Sequence, residues 1–146
     1  VKISSGYVVG GNGSAADIVG VLNGIFYNDA STLKPTFANF YKATITPANS
    51  EDTVAFVMDD PFQQYVVATD DARTQAQFLA TYDMNSSAGS DTTGKSSSTL
   101  DTSVTDANGK QFRLIRSAED PENEDITAAF FSGIVVSNTN SFNGHN

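Results

Sequence analysis

The sequence predicts an all-β, mainly antiparallel fold, either a barrel or a sandwich, with one short helix and long polar loops. Two runs rich in Val, Phe and Tyr flank Asp59-Asp60-Pro61 within Thr53–Thr69. Val, Phe and Tyr favour a pleated, half-buried surface, and Asp and Pro favour turns, so this stretch predicts two strands joined by a corner. Charged residues make up 17% of the chain, below the roughly 25% of ordinary domains. The Ser, Thr, Asn and Gly that replace them suit polar sheet faces and extended loops better than exposed helices.

The length of 146 residues predicts a single β-rich domain that spans residues 1–146. A chain of this length buries roughly 68–70% of its unfolded surface, so it can fold without covalent cross-links. The sequence contains no cysteine, which excludes disulfides and thiolate chemistry. Strand order cannot be deduced from local patterns, so the choice between barrel and sandwich stays open at this point.

The first two elements are predicted strands separated by a glycine-rich turn. Val1–Gly10 alternates imperfectly and predicts a strand, and Gly10–Ser14 predicts a turn. The turn superficially suggests a phosphate loop, but it lacks the Gly-Lys-Ser/Thr ending that such a loop needs. Asp17–Tyr27 predicts a strand buried on both faces, in which Gly20 and Gly24 indicate bulges or close backbone approach.

An aromatic segment follows this strand. Asn28–Ser31 predicts a turn, and a loop is expected through Lys34–Thr36. Phe37, Phe40 and Tyr41 are spaced i, i+3 and i+4. We interpret them as anchors that hold a loop to the core, with an exposed aromatic patch at a subunit contact as the alternative.

The centre of the chain predicts three strands and the single helix. Lys42–Thr46 predicts a short strand, and Thr53–Met58 and Phe62–Thr69 are the strands on either side of the corner. A stripe of Ala, Gln and Leu with helical spacing predicts a short helix at about Asp71–Ala80, capped by Asp70 or by Asp71 itself.

The C-terminal part predicts a hairpin and a last strand between polar segments. A flexible polar loop is expected at about 85–98, because almost nothing there can be buried. Thr99–Thr105 and Gln111–Arg116 alternate on either side of an Asn-Gly turn, which predicts a β-hairpin. Phe130–Val136 predicts the last strand, and residues 137–146 form a polar tail.

No constellation of residues predicts catalysis, a cofactor or a metal. The single histidine, His145, lies next to the end of the sequence, where an imidazole is not held in place for acid–base work. Asp59 and Asp60 are adjacent, so on a strand they point to opposite faces and do not converge on a substrate. The acidic segment 119–125 invites a calcium hypothesis. It lacks the central glycine of a calcium-binding loop, so we predict a solvated loop or an ion pair with Arg113 or Arg116.

The net charge and the short apolar stretches argue against nucleic acid and a membrane span respectively. The net charge is −9, which repels phosphate backbones, so we expect no nucleic-acid binding. The longest apolar stretches are near the length of one strand, so we expect no membrane span.

Several blocks of the sequence resemble small structural proteins of tailed bacteriophages, especially marine ones, of the capsid cement or decoration type. Similar order and spacing are seen in four blocks: Gly20–Asp29, Lys34–Tyr41, Val54–Val66 and Ser117–Ala129. The likeness covers most of the chain and rests on overall pattern. Such proteins carry a further N-terminal stretch, so we expect an upstream arm to be missing from this sequence.

The resemblance implies a virion structural protein on the capsid surface, assembled in the cytoplasm of a host bacterium. Its implied partners are the major capsid protein, whose shell it would bind and stabilise, and copies of itself, such as a trimer at a symmetry axis. A tail or fibre component is an alternative. A carbohydrate-binding, adhesin-like module is another, with Tyr7, Phe37, Phe40 and Tyr41 stacking on sugars. A hydrolase with paired carboxylates is a third, in which Asp59 or Asp60 would need a partner such as Asp70 or Asp71.

Overall fold

Ten β-strands form the regular structure of the residues that the computed structural model describes, namely 1–11, 18–106 and 110–138. The strands are β1 (Lys2–Ser4), β2 (Tyr7–Val9), β3 (Val21–Asn28), β4 (Pro35–Ala38), β5 (Val54–Met58), β6 (Gln64–Ala68), β7 (Thr81–Asn85), β8 (Thr99–Asp106), β9 (Phe112–Ser117) and β10 (Ser132–Ser137). These residues contain two short 3-10 turns, Ala48–Ser50 and Gln75–Gln77, and no α-helix. The all-β prediction is confirmed.

The strands form three antiparallel sheets. β1 pairs with β2, the second sheet has the order β4-β3-β5, and the third has the order β6-β10-β9-β7-β8. Among the strands described, none of the three sheets is closed into a barrel. The three sheets therefore fit a sandwich-like arrangement, and of the two alternatives that the sequence left open, the barrel is wrong.

The main core lies against the five-stranded sheet. Its buried side chains are Ile18, Tyr82, Leu100, Phe112, Leu114, Phe131 and Val135. Leu100 and Thr102 on β8, and Phe112 and Leu114 on β9, are buried as their alternation predicts.

The two edge strands of this sheet meet at one point. Thr69, just after β6, forms an isolated parallel bridge with Leu100 on β8. The next residue, Asp70, donates its backbone N–H to the Leu100 carbonyl at 3.1 Å. Its carboxylate accepts hydrogen bonds from the backbone N–H and the hydroxyl of Thr102. Asp70 thus joins the two edges, and it does not cap a helix.

The predicted helix at Asp71–Ala80 is wrong, because the backbone of this segment bonds to distant strands and loops. Arg73 donates its N–H to the Ile126 carbonyl at 2.6 Å, and Leu79 donates its N–H to the Leu114 carbonyl at 2.7 Å. Leu79 also has a φ of 68°, which an α-helix does not allow. Only the 3-10 turn Gln75–Gln77 keeps local hydrogen bonding of the helical kind.

The corner after β5 is confirmed and connects two different sheets. β5 belongs to the three-stranded sheet and β6 to the five-stranded sheet. Asp60 accepts a hydrogen bond from the backbone N–H of Phe62 at 2.9 Å, which is the local Asx geometry expected of turn residues. The hydroxyl of Tyr65 donates to the Met58 carbonyl at 3.3 Å and links the two sides of the corner.

The predicted hairpin of β8 and β9 is wrong, because β7 lies between these two strands. Thr81 of β7 pairs with Asp106 of β8 on one side and with Arg113 of β9 on the other. The Asn-Gly turn signal falls on residues 107–109, which lie outside the described residues. Sequence alternation identified both outer strands, but it did not identify the strand that separates them.

Three N-terminal predictions also need correction. Val1–Gly10 is a two-stranded hairpin, because Ser5 and Gly6 both have positive φ (51° and 83°) and form a tight turn. Lys42–Thr46 is not a strand, whereas Pro35–Ala38, expected to be loop, pairs with β3 as β4. The expected loop at 85–98 has no strand after Asn85 and is largely exposed. Residues 12–17, which include most of the glycine-rich turn, and tail residues 139–146 lie outside the described part.

Candidate functional site

The three-stranded sheet carries a row of large apolar side chains across one face. Phe26 of β3 lies directly opposite Phe37 of β4 and, on its other side, opposite Val54 of β5. Residues opposite each other in an antiparallel sheet project to the same face, so these three side chains are neighbours. The row crosses the full width of the sheet.

Two further side chains extend this row along β5. Phe56 and Met58 follow Val54 at intervals of two residues, so they share its face. All five side chains are exposed, and we call the set Phe26, Phe37, Val54, Phe56 and Met58 the aromatic face. Phe37 is 61% exposed and Phe56 is 46% exposed. Their ring centroids lie 5.9 Å apart with the rings tilted by 53°, a favourable aromatic geometry.

Gly24 makes room for the aromatic face. It lies opposite Phe56 in the register of β3 and β5. A Cβ atom at this position would lie 2.6 Å from Cζ of Phe37, so only glycine allows the Phe37 ring to lie over β3. The register of β3 also shifts between Leu22 and Gly24. The predicted bulge or close approach at the glycines of this strand is confirmed.

Carboxylates stand at both ends of β5, beside the aromatic face. Glu51 and Asp52 precede the strand, and Glu51 accepts a hydrogen bond at 3.0 Å from the amide of Asn28 at the end of β3. Asp59 and Asp60 follow the strand at the corner. All four residues are exposed. Negative charge therefore stands at both ends of β5, the edge strand that carries Val54, Phe56 and Met58.

The electrostatic effect of the corner carboxylates is seen at Tyr65. Burial raises the pKa of this phenol above its ordinary value, and the negative charges of Asp60 and Asp59 raise it further. Both effects disfavour the phenolate. The corner therefore favours the neutral form of Tyr65.

The opposite face of the same sheet turns inward and borders a cleft. Ile25 is 2% exposed, and it lines a mainly apolar cleft of about 580 Å³ together with Leu22 and Ala55. Tyr7 from the N-terminal hairpin and Tyr41 line the same cleft.

The four aromatics of the adhesin hypothesis do not form one groove. Tyr7 and Tyr41 share the cleft, whereas Phe37 lies on the other face of the sheet and Phe40 packs on Gly94. The prediction that Phe37 and Tyr41 are core anchors is also wrong, because both are exposed. The alternative of an exposed aromatic patch agrees with the position of Phe37.

The acidic candidates accept hydrogen bonds from different parts of the chain. Asp60 bonds within the corner, Asp70 bonds Thr102, and the Asp71 carboxylate accepts from the backbone N–H of Ala72 at 2.8 Å. In the parts of the chain that the structure covers, no three His, Cys, Asp or Glu side chains are grouped to hold a metal. His145 lies beyond the last described residue.

The acidic segment 119–125 behaves as a solvated loop with one ion pair. Glu119 pairs with Arg116 at 3.2 Å, both side chains being exposed, as the sequence predicted. Arg113 bonds elsewhere, to the Leu79 carbonyl and to Asn138. Hydrogen bonds from the Thr127 hydroxyl and backbone N–H lower the pKa of Asp125.

Sequence reasoning missed most of the aromatic face because it treated β3 as buried on both sides and β4 as loop. A signal was present in β5, where large Val, Phe and Met alternate with Ala55 and Val57. Large exposed side chains opposite small or half-buried ones are unusual for a solvated sheet face, on which polar residues are expected.

Searches of the chain against protein-family models, curated proteins and solved structures give no significant match. Within the described residues, no helix has the length and apolar character needed to cross a membrane.

Proposed function

We propose that this chain is a non-catalytic virion structural protein, a cement or decoration protein that binds the major capsid protein shell of a tailed phage and stabilises the head. The observation that carries the proposal is the aromatic face, an exposed apolar surface on a regular sheet. Large apolar side chains on the exposed face of a regular sheet, where polar residues are expected, favour a protein–protein interaction site. Tyr, Trp, Phe and Met are also enriched at the cores of such interfaces.

The blocks that resemble phage structural proteins include the strands of this surface. Gly20–Asp29 contains β3, Lys34–Tyr41 contains β4, and Val54–Val66 contains β5. The expected resemblance and the exposed surface therefore concern the same three strands. A binding role also agrees with Asp60, Asp70 and Asp71, whose carboxylates accept hydrogen bonds from different parts of the chain.

The test is binding of the purified chain to shells of its phage assembled without it. We expect saturable binding that is lost in the double variant Phe37→Ser/Phe56→Ser. Loss of two aromatic hot-spot contacts should weaken binding at least about 100-fold. Phe130→Ser is the matched control, because Phe130 is 60% exposed, like Phe37, but lies beside the five-stranded sheet.

Three results would count against the proposal. Absence of binding by the unmodified chain would exclude the cement role, and density on the tail in a map of the particle would favour the tail or fibre alternative. Equal binding by the double variant and the Phe130→Ser control would exclude the aromatic face as the docking surface.

A second candidate function is carbohydrate binding at the cleft, favoured by the pair Tyr7 and Tyr41 that lines it. Aromatic side chains in a cleft offer stacking surfaces to sugar rings. This candidate predicts signals on a glycan array that Tyr7→Ala and Tyr41→Ala remove and Phe37→Ser leaves unchanged. A silent array would exclude it.

A further inference from the structure

We infer that the surface docked on the aromatic face is a protein patch with an apolar centre and a basic rim, and that it is not a second copy of this chain. The inference rests on the proposed function, since it specifies the chemistry of the shell surface that the face would bind. It is carried by the size of the apolar face and by the charges that border it.

The aromatic face is too small to form a complete interface. Three strands spaced about 4.8 Å apart and about five residues long at about 3.4 Å each cover roughly 14 by 17 Å, or about 240 Å². A stable interface buries about 800 Å² on each partner. The footprint of a partner must therefore extend past the apolar centre, and at the two ends of β5 it meets carboxylates.

The segments that border the face are acidic. Residues 21–38 and 51–60 contain five acidic side chains (Asp29, Glu51, Asp52, Asp59 and Asp60) and one basic side chain (Lys34), so the side chains of these two segments sum to a charge of −4. The Asn28 amide holds Glu51 beside the end of β3, and the Phe62 N–H holds Asp60 in the corner. These two carboxylates thus have defined positions at opposite ends of the face.

Charge complementarity selects the partner. A partner rimmed by Lys or Arg would be attracted at both ends of β5, and it would be steered to the face as it approaches. A second copy docked through the same face would bring two acidic rims together. The two copies would also repel each other, because each carries a net charge of −9 in total. Nucleic acid is disfavoured for the same reason.

The experiment compares association rates with capsid shells at 50 and 500 mM NaCl for two triple variants. The rim variant is Glu51→Gln/Asp52→Asn/Asp60→Asn, in which the new amide in the corner keeps an oxygen that can accept from the Phe62 N–H. The control is Asp71→Asn/Glu122→Gln/Glu124→Gln. It changes the net charge by the same amount at exposed positions outside the bordering segments.

We expect the association rate of the unmodified chain to fall about 10-fold between the two salt concentrations. The rim variant should associate about 10-fold more slowly at 50 mM NaCl and show little salt dependence, and the control should stay within about 2-fold of the unmodified chain. Dissociation rates should change less than association rates.

The possible failures are distinguishable. If the rim variant matches the control while Phe37→Ser/Phe56→Ser abolishes binding, the basic rim is excluded and the proposed function stands. If the unmodified chain does not bind shells, both are excluded. Sedimentation that shows a dimer of the unmodified chain, lost in Phe37→Ser/Phe56→Ser, would identify a second copy as the occupant and overturn the inference.

Discussion

Asp70 joins the two edges of the five-stranded sheet, and we expect Asp70→Ala to destabilise the protein by about 2–4 kcal/mol. The change removes the acceptor of the backbone N–H and the hydroxyl of Thr102, a residue that is only 2% exposed. A buried donor left without an acceptor costs about 1–3 kcal/mol. Because Asp70 itself is half-buried, water can compensate part of the loss at the two donors.

The assay is thermal and urea unfolding, combined with a double-mutant cycle. For a chain of this length, 1 kcal/mol lowers Tm by about 2–4 °C, so Asp70→Ala should lower Tm by roughly 4–16 °C. Thr102→Val keeps the shape of the side chain and removes the hydroxyl. The double variant should reveal a coupling free energy of about 1 kcal/mol between the two residues.

Asp71→Ala is the control, since Asp71 is exposed and its carboxylate accepts from the adjacent Ala72 N–H. We expect it to change stability by no more than about 0.5 kcal/mol. The sequence alone favoured a helix capped by either aspartate, in which Asp70 and Thr102 are independent. A coupling free energy within about 0.3 kcal/mol of zero would refute the contact between the sheet edges.

Three other changes test the packing and the titration behaviour. Gly20→Ala should lower the free energy of unfolding by about 3 kcal/mol, because its Cβ would lie 2.1 Å from the Met58 carbonyl oxygen. An unchanged urea midpoint would contradict this close approach of the backbone before β3 to the end of β5. Leu114→Ala should cost about 2–5 kcal/mol, since Leu114 is fully buried in the core, and a loss below about 1 kcal/mol in the same assay would contradict its placement. Burial is the main cause that raises the pKa values of Tyr65 and Tyr82 in the folded state. The contribution of these phenols to the free energy of unfolding is therefore fully present below about pH 10, their unfolded pKa, and is lost as the pH rises through the higher folded pKa values. Tyr65→Phe and Tyr82→Phe should each reduce this loss of stability between about pH 9 and 11. A parallel decline in all variants would exclude a contribution from either phenol.

Local chemistry determined which parts of this chain became strands. The two runs on either side of Asp59-Asp60-Pro61, and the alternating segments that became β8 and β9, were predicted because β-branched and aromatic residues favour extended backbone and Asp, Pro and Gly favour turns. Gly20 and Gly24 were also correctly predicted to mark a bulge or a close approach of neighbouring atoms, since a glycine inside a strand often has this role.

Contacts between residues distant in sequence determined the order of the strands, the backbone of the predicted helix and the aromatic face. The same alternation fits a strand paired with either neighbour, so only the fold could insert β7 between β8 and β9. Asp71–Ala80 has helical spacing, but its backbone N–H groups bond to the distant carbonyls of Ile126 and Leu114, and a short isolated helix is only marginally stable. The aromatic face emerged only when β3, β4 and β5 were paired, because hydrogen bonds between strands bring side chains from three separate segments onto one surface.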